Sequence, residues 1–188
     1  MYSSYGKRLL DIVLAAIALL ILSPLMLLTA LAIYLEDGAS PLFRQQRVGQ
    51  EGKLFELLKF RSMGVNAAQV PSAQANSLTI TRIGQFIRRT NIDELPQLIN
   101  ILRGDMSIVG PRPALPSQTD LCSLRERNGS TGCKPGLTGL AQVNSYDNMP
   151  DLEKGEWDGK YASKISFWGD VTIIFRTFGY LTKKPPVY

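Results

Sequence analysis

Residues 12–35 read IVLAAIALLILSPLMLLTALAIYL, 24 consecutive positions without a formal charge. As a single helix this run extends roughly 36 Å, enough to cross the hydrocarbon core of a bilayer, so a spanning helix is the default reading. The charges around it point elsewhere. Lys7 and Arg8 precede the run, and Arg44, Arg47, Lys53, Lys59 and Arg61 follow it closely. Basic residues flanking membrane helices favour the cytoplasmic side, and here both flanks claim that side. Ser23-Pro24 lies mid-run, where proline removes a backbone donor and bends the helix, and a serine hydroxyl can satisfy the freed carbonyl. A re-entrant helical hairpin, entering one leaflet, turning near Ser23-Pro24 and returning to the same face, reconciles the charges with the proline. On these residues alone, spanning ranks first. A third reading is a signal peptide, with Lys7-Arg8 as its basic region, Ile12 to Leu22 as its apolar region and Ala30-Leu31-Ala32 as a cleavage box. The apolar run outlasts a usual signal core, and Asp11 interrupts its beginning.

With 188 residues, 45% hydrophobic and 20% charged, the chain can bury one core and needs no second. Its formal charge of +5 fits an anionic bilayer surface better than nucleic acid, because no nucleic-acid motif or array of stacking aromatics accompanies it. Histidine is absent, which excludes histidine general bases, histidine-ligated zinc and Ser-His-Asp triads. Cys122 and Cys133 have neither a Cys-x-x-Cys spacing nor further partners, and read as ordinary thiols in a reducing compartment.

Past the apolar run, Leu42 to Val48 and Leu54 to Phe60 flank Gly49-Gln50-Glu51-Gly52, the pattern of a short hairpin ending in Lys59-Phe60-Arg61. Its terminal cations either reach phosphates or lie solvated near anionic lipid, where each basic residue contributes about 1 kcal/mol. Residues 64–77 are small and polar without a period and read as a surface loop. Ile80, Ile83, Phe86 and Ile87 repeat on one helical face, which suits either a helix on a membrane surface or core packing. The stretch holding Phe167, Trp168, Ile173, Ile174, Phe175, Phe178 and Tyr180, ending in Lys183-Lys184-Pro185-Pro186, has the same two readings. Its aromatics and basic end favour the membrane.

The chemistry concentrates around Asp93-Glu94-Leu95-Pro96-Gln97. Asn91 and Asp93 are good N-caps, Pro96 is tolerated in a first turn, and Leu95, Leu98, Ile99 and Leu102 repeat at helical spacing, so the acidic pair is predicted to open a helix. The helix dipole and the nearby Arg88, Arg89 and Arg112 would hold both carboxylates ionised, the state that a nucleophile or metal ligand needs. Guanidinium groups grip phosphate oxygens bidentately, so the pattern points to phosphoryl chemistry. The bland reading is that Asp and Glu in a first turn merely cap it. In Gly110-Pro111-Arg112-Pro113, the prolines hold Arg112 on a stiff, non-helical segment, as a phosphate clamp or as a plain turn with an exposed cation. Pro135, Gly136 and Gly139 suggest a tight loop bringing backbone close to a ligand, or only a turn.

Lys7-Arg8, Asp11, Ser23-Pro24, Lys59-Phe60-Arg61-Ser62-Met63, Asp93-Glu94-Leu95-Pro96-Gln97, Gly104-Asp105-Met106-Ser107, Gly110-Pro111-Arg112-Pro113, the run from Pro135 through Gly139 to Gln142-Val143, and Ser166-Phe167-Trp168-Gly169-Asp170 follow one another in this order. In that order they resemble the bacterial sugar transferases, specifically the small monotopic phosphoglycosyl transferases. The resemblance implies a mainly α fold with a short β-hairpin: a re-entrant membrane helix over 1–37 with its kink at Ser23 and Pro24, then a small catalytic domain over 38–188 with amphipathic interfacial helices. Because the family core begins almost at Met1, the further upstream membrane helices of long family members are not expected. It also implies a monotopic protein of the bacterial inner membrane, facing the cytoplasm. Its reaction would move sugar-1-phosphate from a UDP-sugar to a polyprenol phosphate such as undecaprenyl phosphate, releasing UMP by ping-pong catalysis.

By the same resemblance, Asp93 is the nucleophile and Glu94 the ligand of a Mg²⁺ cofactor, a role as base being the competing assignment for Glu94. Lys59, Arg61, Arg88 and Arg112 bind phosphates, with Pro111 and Pro113 shaping the donor site. Gln142 and Val143 lie in a nucleotide-contacting region. After Asn144, where many relatives continue with glycine and arginine, this chain has Ser145-Tyr146-Asp147-Asn148, which makes donor recognition less secure than catalysis. The expected partners are the UDP-sugar, the polyprenol phosphate and inner-membrane phospholipid, with no nucleic acid; a homodimer stays open. The rival class is a non-catalytic membrane-surface scaffold or lipid-binding protein, in which the acidic pair is only a helix cap.

Overall fold

The computed structural model describes residues 2–64, 80–145 and 149–181. The surface loop expected over 64–77 lies, beyond Gly64, outside the described residues, as do Tyr146, Asp147 and the terminal Lys183-Lys184-Pro185-Pro186.

A π-helical turn, Tyr2–Gly6, leads into α1 (Lys7–Asp37), 31 residues that stay helical through Ser23-Pro24. Pro24 has no N–H to offer the Leu20 carbonyl, and the Ser23 hydroxyl donates to that carbonyl instead, at 3.0 Å. Two helices separated by a loop are therefore not what the chain forms. Gly38, at φ 71°, ends the helix and donates its N–H to the Tyr34 carbonyl.

Both ends of α1 are tied to the same domain. At the start, Lys7 pairs with Asp170 at 2.6 Å and Arg8 donates to the carbonyls of Ile101 and Leu102. Buried Asp11 accepts from the Ser107 hydroxyl and the Ile108 N–H. At the far end, Asp37 takes both arms of Arg61, and Glu36 accepts from the Arg82 N–H. Between these anchors, Ala15, Ala18 and Leu19 pack with Leu57, Leu98, Ile101 and Met106, while Met26, Ala30 and Ile33 pack with Phe60 and Ile87. The flank around the middle is bare, with Leu20 78%, Ile21 68% and Leu27 71% exposed. Among the described residues, α1 is the helix long and apolar enough to cross a membrane.

Strands β1 (Leu42–Val48) and β2 (Leu54–Phe60) form the antiparallel hairpin read from the sequence, in a register that sets Arg47 opposite Phe55 and Phe43 opposite Lys59. Helix α2 (Arg82–Arg89) follows, capped by the Thr81 hydroxyl. Its apolar stripe divides: Ile83 and Ile87 join the core beside Phe60, and Phe86 is left 60% exposed. Helix α3 (Gln97–Arg103) begins later than predicted, after Pro96. Its inward face is Leu98 and Ile101, with Leu102 partly exposed, so the predicted stripe of Leu95, Leu98, Ile99 and Leu102 is rotated by about one position.

A second, parallel pair was not visible in the sequence: β3 (Ser107–Val109) lies beside β4 (Gly136–Thr138). The glycines make this possible. A Cβ on Gly110 would overlap the Lys134 carbonyl, and one on Gly139 would overlap the Gly110 carbonyl. The close approach expected of Gly136 and Gly139 is thus to the neighbouring chain segment. Helices α4 (Thr119–Arg127), α5 (Leu140–Val143), α6 (Asp151–Ser163) and α7 (Phe167–Leu181) complete the fold. Arg125 on α4 is bonded to buried Asp158 on α6, and Ile173 on α7 packs with Val109 and Tyr161. Trp168, Phe175 and Phe178 of α7 remain exposed.

One side chain joins the hairpin to α3. Asn100, fully buried, donates to the Glu56 carbonyl and the Asp105 carboxylate and accepts from the Leu58 N–H. It completes the outer edge of β2 as a neighbouring strand would. Replacing it by alanine strands the Leu58 N–H and the Glu56 carbonyl, and is expected to lower stability by about 3 kcal/mol. Denaturant melts of the solubilised protein test this, and a loss under about 0.5 kcal/mol, the scale of a neutral surface change, would show that the bridge is dispensable.

Candidate active site

The acidic pair occupies a single 3₁₀ turn, Ile92–Glu94, entered through Asn91 at φ 55°. Neither Asn91 nor Asp93 makes a capping bond, and α3 starts only after Leu95 and Pro96, so the prediction that the pair opens and caps a helix is corrected. The physical reason is burial: Asp93 turns inward, 9% exposed, where a cap would face the solvent-side amides of the first turn.

Glu94 is the hub. Its Oε1 accepts from Lys59 Nζ and from Arg112 Nη2, each at 2.8 Å. Lys59 comes from the end of β2 and Arg112 from the segment after β3, so one oxygen joins three separate parts of the chain. Burial alone would raise the Glu94 pKa; the charges of Arg112 and Lys59 and their hydrogen bonds outweigh it and bring it down to about 2. Asp93 goes the opposite way. Burial raises its pKa, Lys59 opposes, the charge of Glu94 adds to the rise, and Arg88 and Arg112 oppose it. Two adjacent carboxylates thereby differ: one has its charge met by bonded cations, the other is held in a setting that opposes its charge.

The structure gathers Lys59, Arg88 and Arg112, three of the four residues expected to bind phosphate, around this pair. Arg88 is steadied by its Nε–H bond to Ser62 at 2.7 Å. Pro111 and Pro113 are buried and hold their carbonyls for Gly136 and Arg47, leaving Arg112 between them with its side chain 39% exposed. Arg61 does not join the cluster. Both its arms are on Asp37, and its Nε–H is on the Ser40 carbonyl, which makes it a tie for the end of α1. Gln142 is buried and donates to the Leu137 carbonyl, and Val143 packs into the core with Val109, Tyr161 and Ile173. No contact ties either to the acidic pair among the described residues.

Arg47 was missed as a site residue. It stands on β1, donates to the Pro113 carbonyl, and feels the charges of Arg112 and Glu94. Its only sequence signal was membership of the basic flank after the apolar run. For a divalent cation, the described residues hold no group of three His, Cys, Asp or Glu side chains. Magnesium, however, keeps several waters and is held by one or two carboxylates plus substrate phosphates. Adjacent Asp93 and Glu94, with both described bonds to Glu94 falling on Oε1, fit such a partial site.

A family profile described as bacterial sugar transferase matches residues 2–184. The chain belongs to the bacterial sugar transferase family. It is 42% identical over 185 residues to the UDP-glucose:undecaprenyl-phosphate glucose-1-phosphate transferase of Escherichia coli K12, covering 91% of this chain and 39% of that one. It is also 42% identical over 180 residues to the protein of the same name from Caulobacter vibrioides, covering 91% and 67%. The undecaprenyl-phosphate galactose phosphotransferase of Salmonella typhimurium is 36% identical over 204 residues, covering 99% and 42%. The chain thus spans about two-fifths of the length of two of these sugar transferases and two-thirds of the third.

Opposite pKa directions predict opposite stability effects. Glu94→Gln removes the charged acceptor of Lys59 and Arg112 and should destabilise the fold by about 2 kcal/mol at neutral pH. Since the folded pKa is depressed, the Glu94 contribution is full above its ordinary 4.5 and lost as pH falls toward about 2. Asp93→Asn removes a charge the fold resists burying and should hold or raise the melting temperature. Thermal melts at pH 7 decide it: equal losses in both variants would refute the assigned difference.

Proposed function

We propose that this chain is a phosphoglycosyl transferase unit that moves sugar-1-phosphate from a UDP-sugar to a polyprenol phosphate and releases UMP. The observation that carries the reading is a buried carboxylate, Asp93, lying beside a clamped carboxylate and ringed by Lys59, Arg88 and Arg112. The activities for which the Escherichia coli, Caulobacter and Salmonella relatives are named, two on glucose and one on galactose, support the substrate class.

In the first step an Asp93 carboxylate oxygen attacks the sugar-linked phosphorus of the donor. The bond from that phosphorus to the bridging oxygen breaks, and UMP leaves with the oxygen and its electron pair. An acyl-phosphate links the phosphosugar to Asp93. In the second step an oxygen of the polyprenol phosphate attacks the same phosphorus and frees Asp93. Lys59, Arg88 and Arg112 neutralise the phosphate oxygens and orient them, which is the main task in phosphoryl transfer. Glu94 keeps Lys59 and Arg112 aimed at one point before substrate arrives. Magnesium held by Glu94, with Asp93 beside it, would neutralise the diphosphate and stabilise the leaving nucleotide. The low pKa of Glu94 supports the ligand role over that of a base.

A monotopic, re-entrant placement of α1, with both ends on the cytoplasmic face, belongs to the same proposal. It is supported by the anchoring of Lys7, Arg8 and Asp11 at one end and Glu36 and Asp37 at the other to one domain, and by the exposed apolar middle at Pro24. The exposed Trp168, Phe175 and Phe178 suit contact with the same lipid surface. That arrangement sets the acceptor phosphate at headgroup level beside a site open to water-borne nucleotide.

Intact-protein mass spectrometry after incubation with Mg²⁺ and a panel of UDP-sugars, without acceptor, should show a phosphosugar adduct on the wild type and none on Asp93→Asn. Polyprenol phosphate should then discharge the adduct. UMP release without an adduct would favour single displacement. A chain that gives neither signal, or an Asp93→Asn variant with full function, would favour the scaffold.

A further inference from the structure

We propose that Arg47 is a further donor-binding residue of this site, a cation that grips the diphosphate alongside Arg112 and Lys59. This rests on the reading of the cluster as the seat of a nucleotide diphosphosugar. Arg47 sits near the turn of the β1–β2 hairpin, where Val48 donates its N–H to the Ala114 carbonyl at 2.9 Å. Next to that bond, Arg47 Nη1 donates to the Pro113 carbonyl at 3.1 Å, and Nη2 donates to Gln45 Oε1 at 2.6 Å. The hairpin therefore lays a guanidinium against the residue that immediately follows Arg112.

Three features separate Arg47 from a structural arginine. Its Nε–H is buried and has no acceptor among the described residues. A guanidinium whose function is only to tie two segments would be expected to satisfy this donor, as Arg61 does with the Ser40 carbonyl. Second, no carboxylate is bonded to it among the described residues: its partners there are a carbonyl and an amide, so its charge is left for something else. Burial and the charge of Arg112 work against that charge, and Glu94 supports it.

Third, Arg47 adds to the positive charge that the protein itself presents to the donor. Lys59, Arg88 and Arg112 against Asp93 and Glu94 leave one positive charge, whereas a nucleotide diphosphosugar brings two negative ones. Adding Arg47 gives four cations and two carboxylates. The two arginines, held close together despite their repulsion, concentrate positive charge where a diphosphate would sit.

The test compares UDP with uridine as ligands of the full chain, for wild type, Arg47→Gln and Arg47→Lys, together with the KM for donor and a thermal melt. Arg47→Gln should weaken UDP about tenfold while changing uridine less than about twofold, and Arg47→Lys should keep most of the UDP affinity. That split follows the charge and would not arise from loosening the Pro113 segment. If UDP and uridine weaken together in both variants, with a lower melting temperature, Arg47 is only a strut and the inference falls. UDP binding undiminished in Arg47→Gln overturns it as well. A wild-type chain that binds no UDP overturns the donor reading and this inference with it, so the two failures are distinguishable.

Discussion

A single carboxylate oxygen, Glu94 Oε1, holds together what this site is made of. It receives Lys59 from the end of β2 and Arg112 from the rigid segment after β3. Removing the acceptor would leave two cations facing each other with nothing between them. The surrounding fold delivers these groups to that oxygen. Asn100 fixes α3 against β2, which sets the distance between Lys59 and the acidic turn. The glycine-dependent approach of β3 and β4, with Gly136 bonded to the Pro111 carbonyl, fixes the base from which Arg112 projects.

The two carboxylates of the turn lie in opposite electrostatic settings. Glu94 gains from ionisation, because its charge is met by two hydrogen-bonded cations. Asp93 is buried without an equivalent bonded partner among the described residues, and its environment opposes its charge. The cations that oppose the Asp93 shift, Lys59, Arg88 and Arg112, are the ones suited to receiving phosphate.

The long apolar helix is part of the same assembly. Its first residues touch α3, which follows the acidic turn, and β3, which precedes Arg112. Arg8 caps the last carbonyls of α3, while Asp11 holds the start of β3. Lys7 reaches Asp170, which also accepts from Tyr2 and Tyr161 and so joins α1, α6 and α7. At its other end, Arg61 and the start of α2 grasp Asp37 and Glu36. The bare middle of α1 and the cluster around Glu94 thus belong to one body.

Much of this was legible in the sequence, for local reasons. The hairpin at 42–48 and 54–60, the uncharged run with its Ser23-Pro24, the missing histidine and the ordered motifs are all patterns of neighbouring residues, and local patterns constrain secondary structure and family directly. The rescue of the Leu20 carbonyl by Ser23 was of this kind. Roles set by distant partners were not legible. Arg61 and Lys59 are two residues apart and looked equivalent, yet one is consumed by Asp37 and the other reaches Glu94. Arg47 looked like one more basic residue beside a membrane, until the hairpin laid it on Pro113. Asp93 looked like a cap, until packing turned it inward. Charges act through space with a strength set by burial, so the sequence by itself determined which groups were present, and only the tertiary structure decided which of them meet and at what pKa.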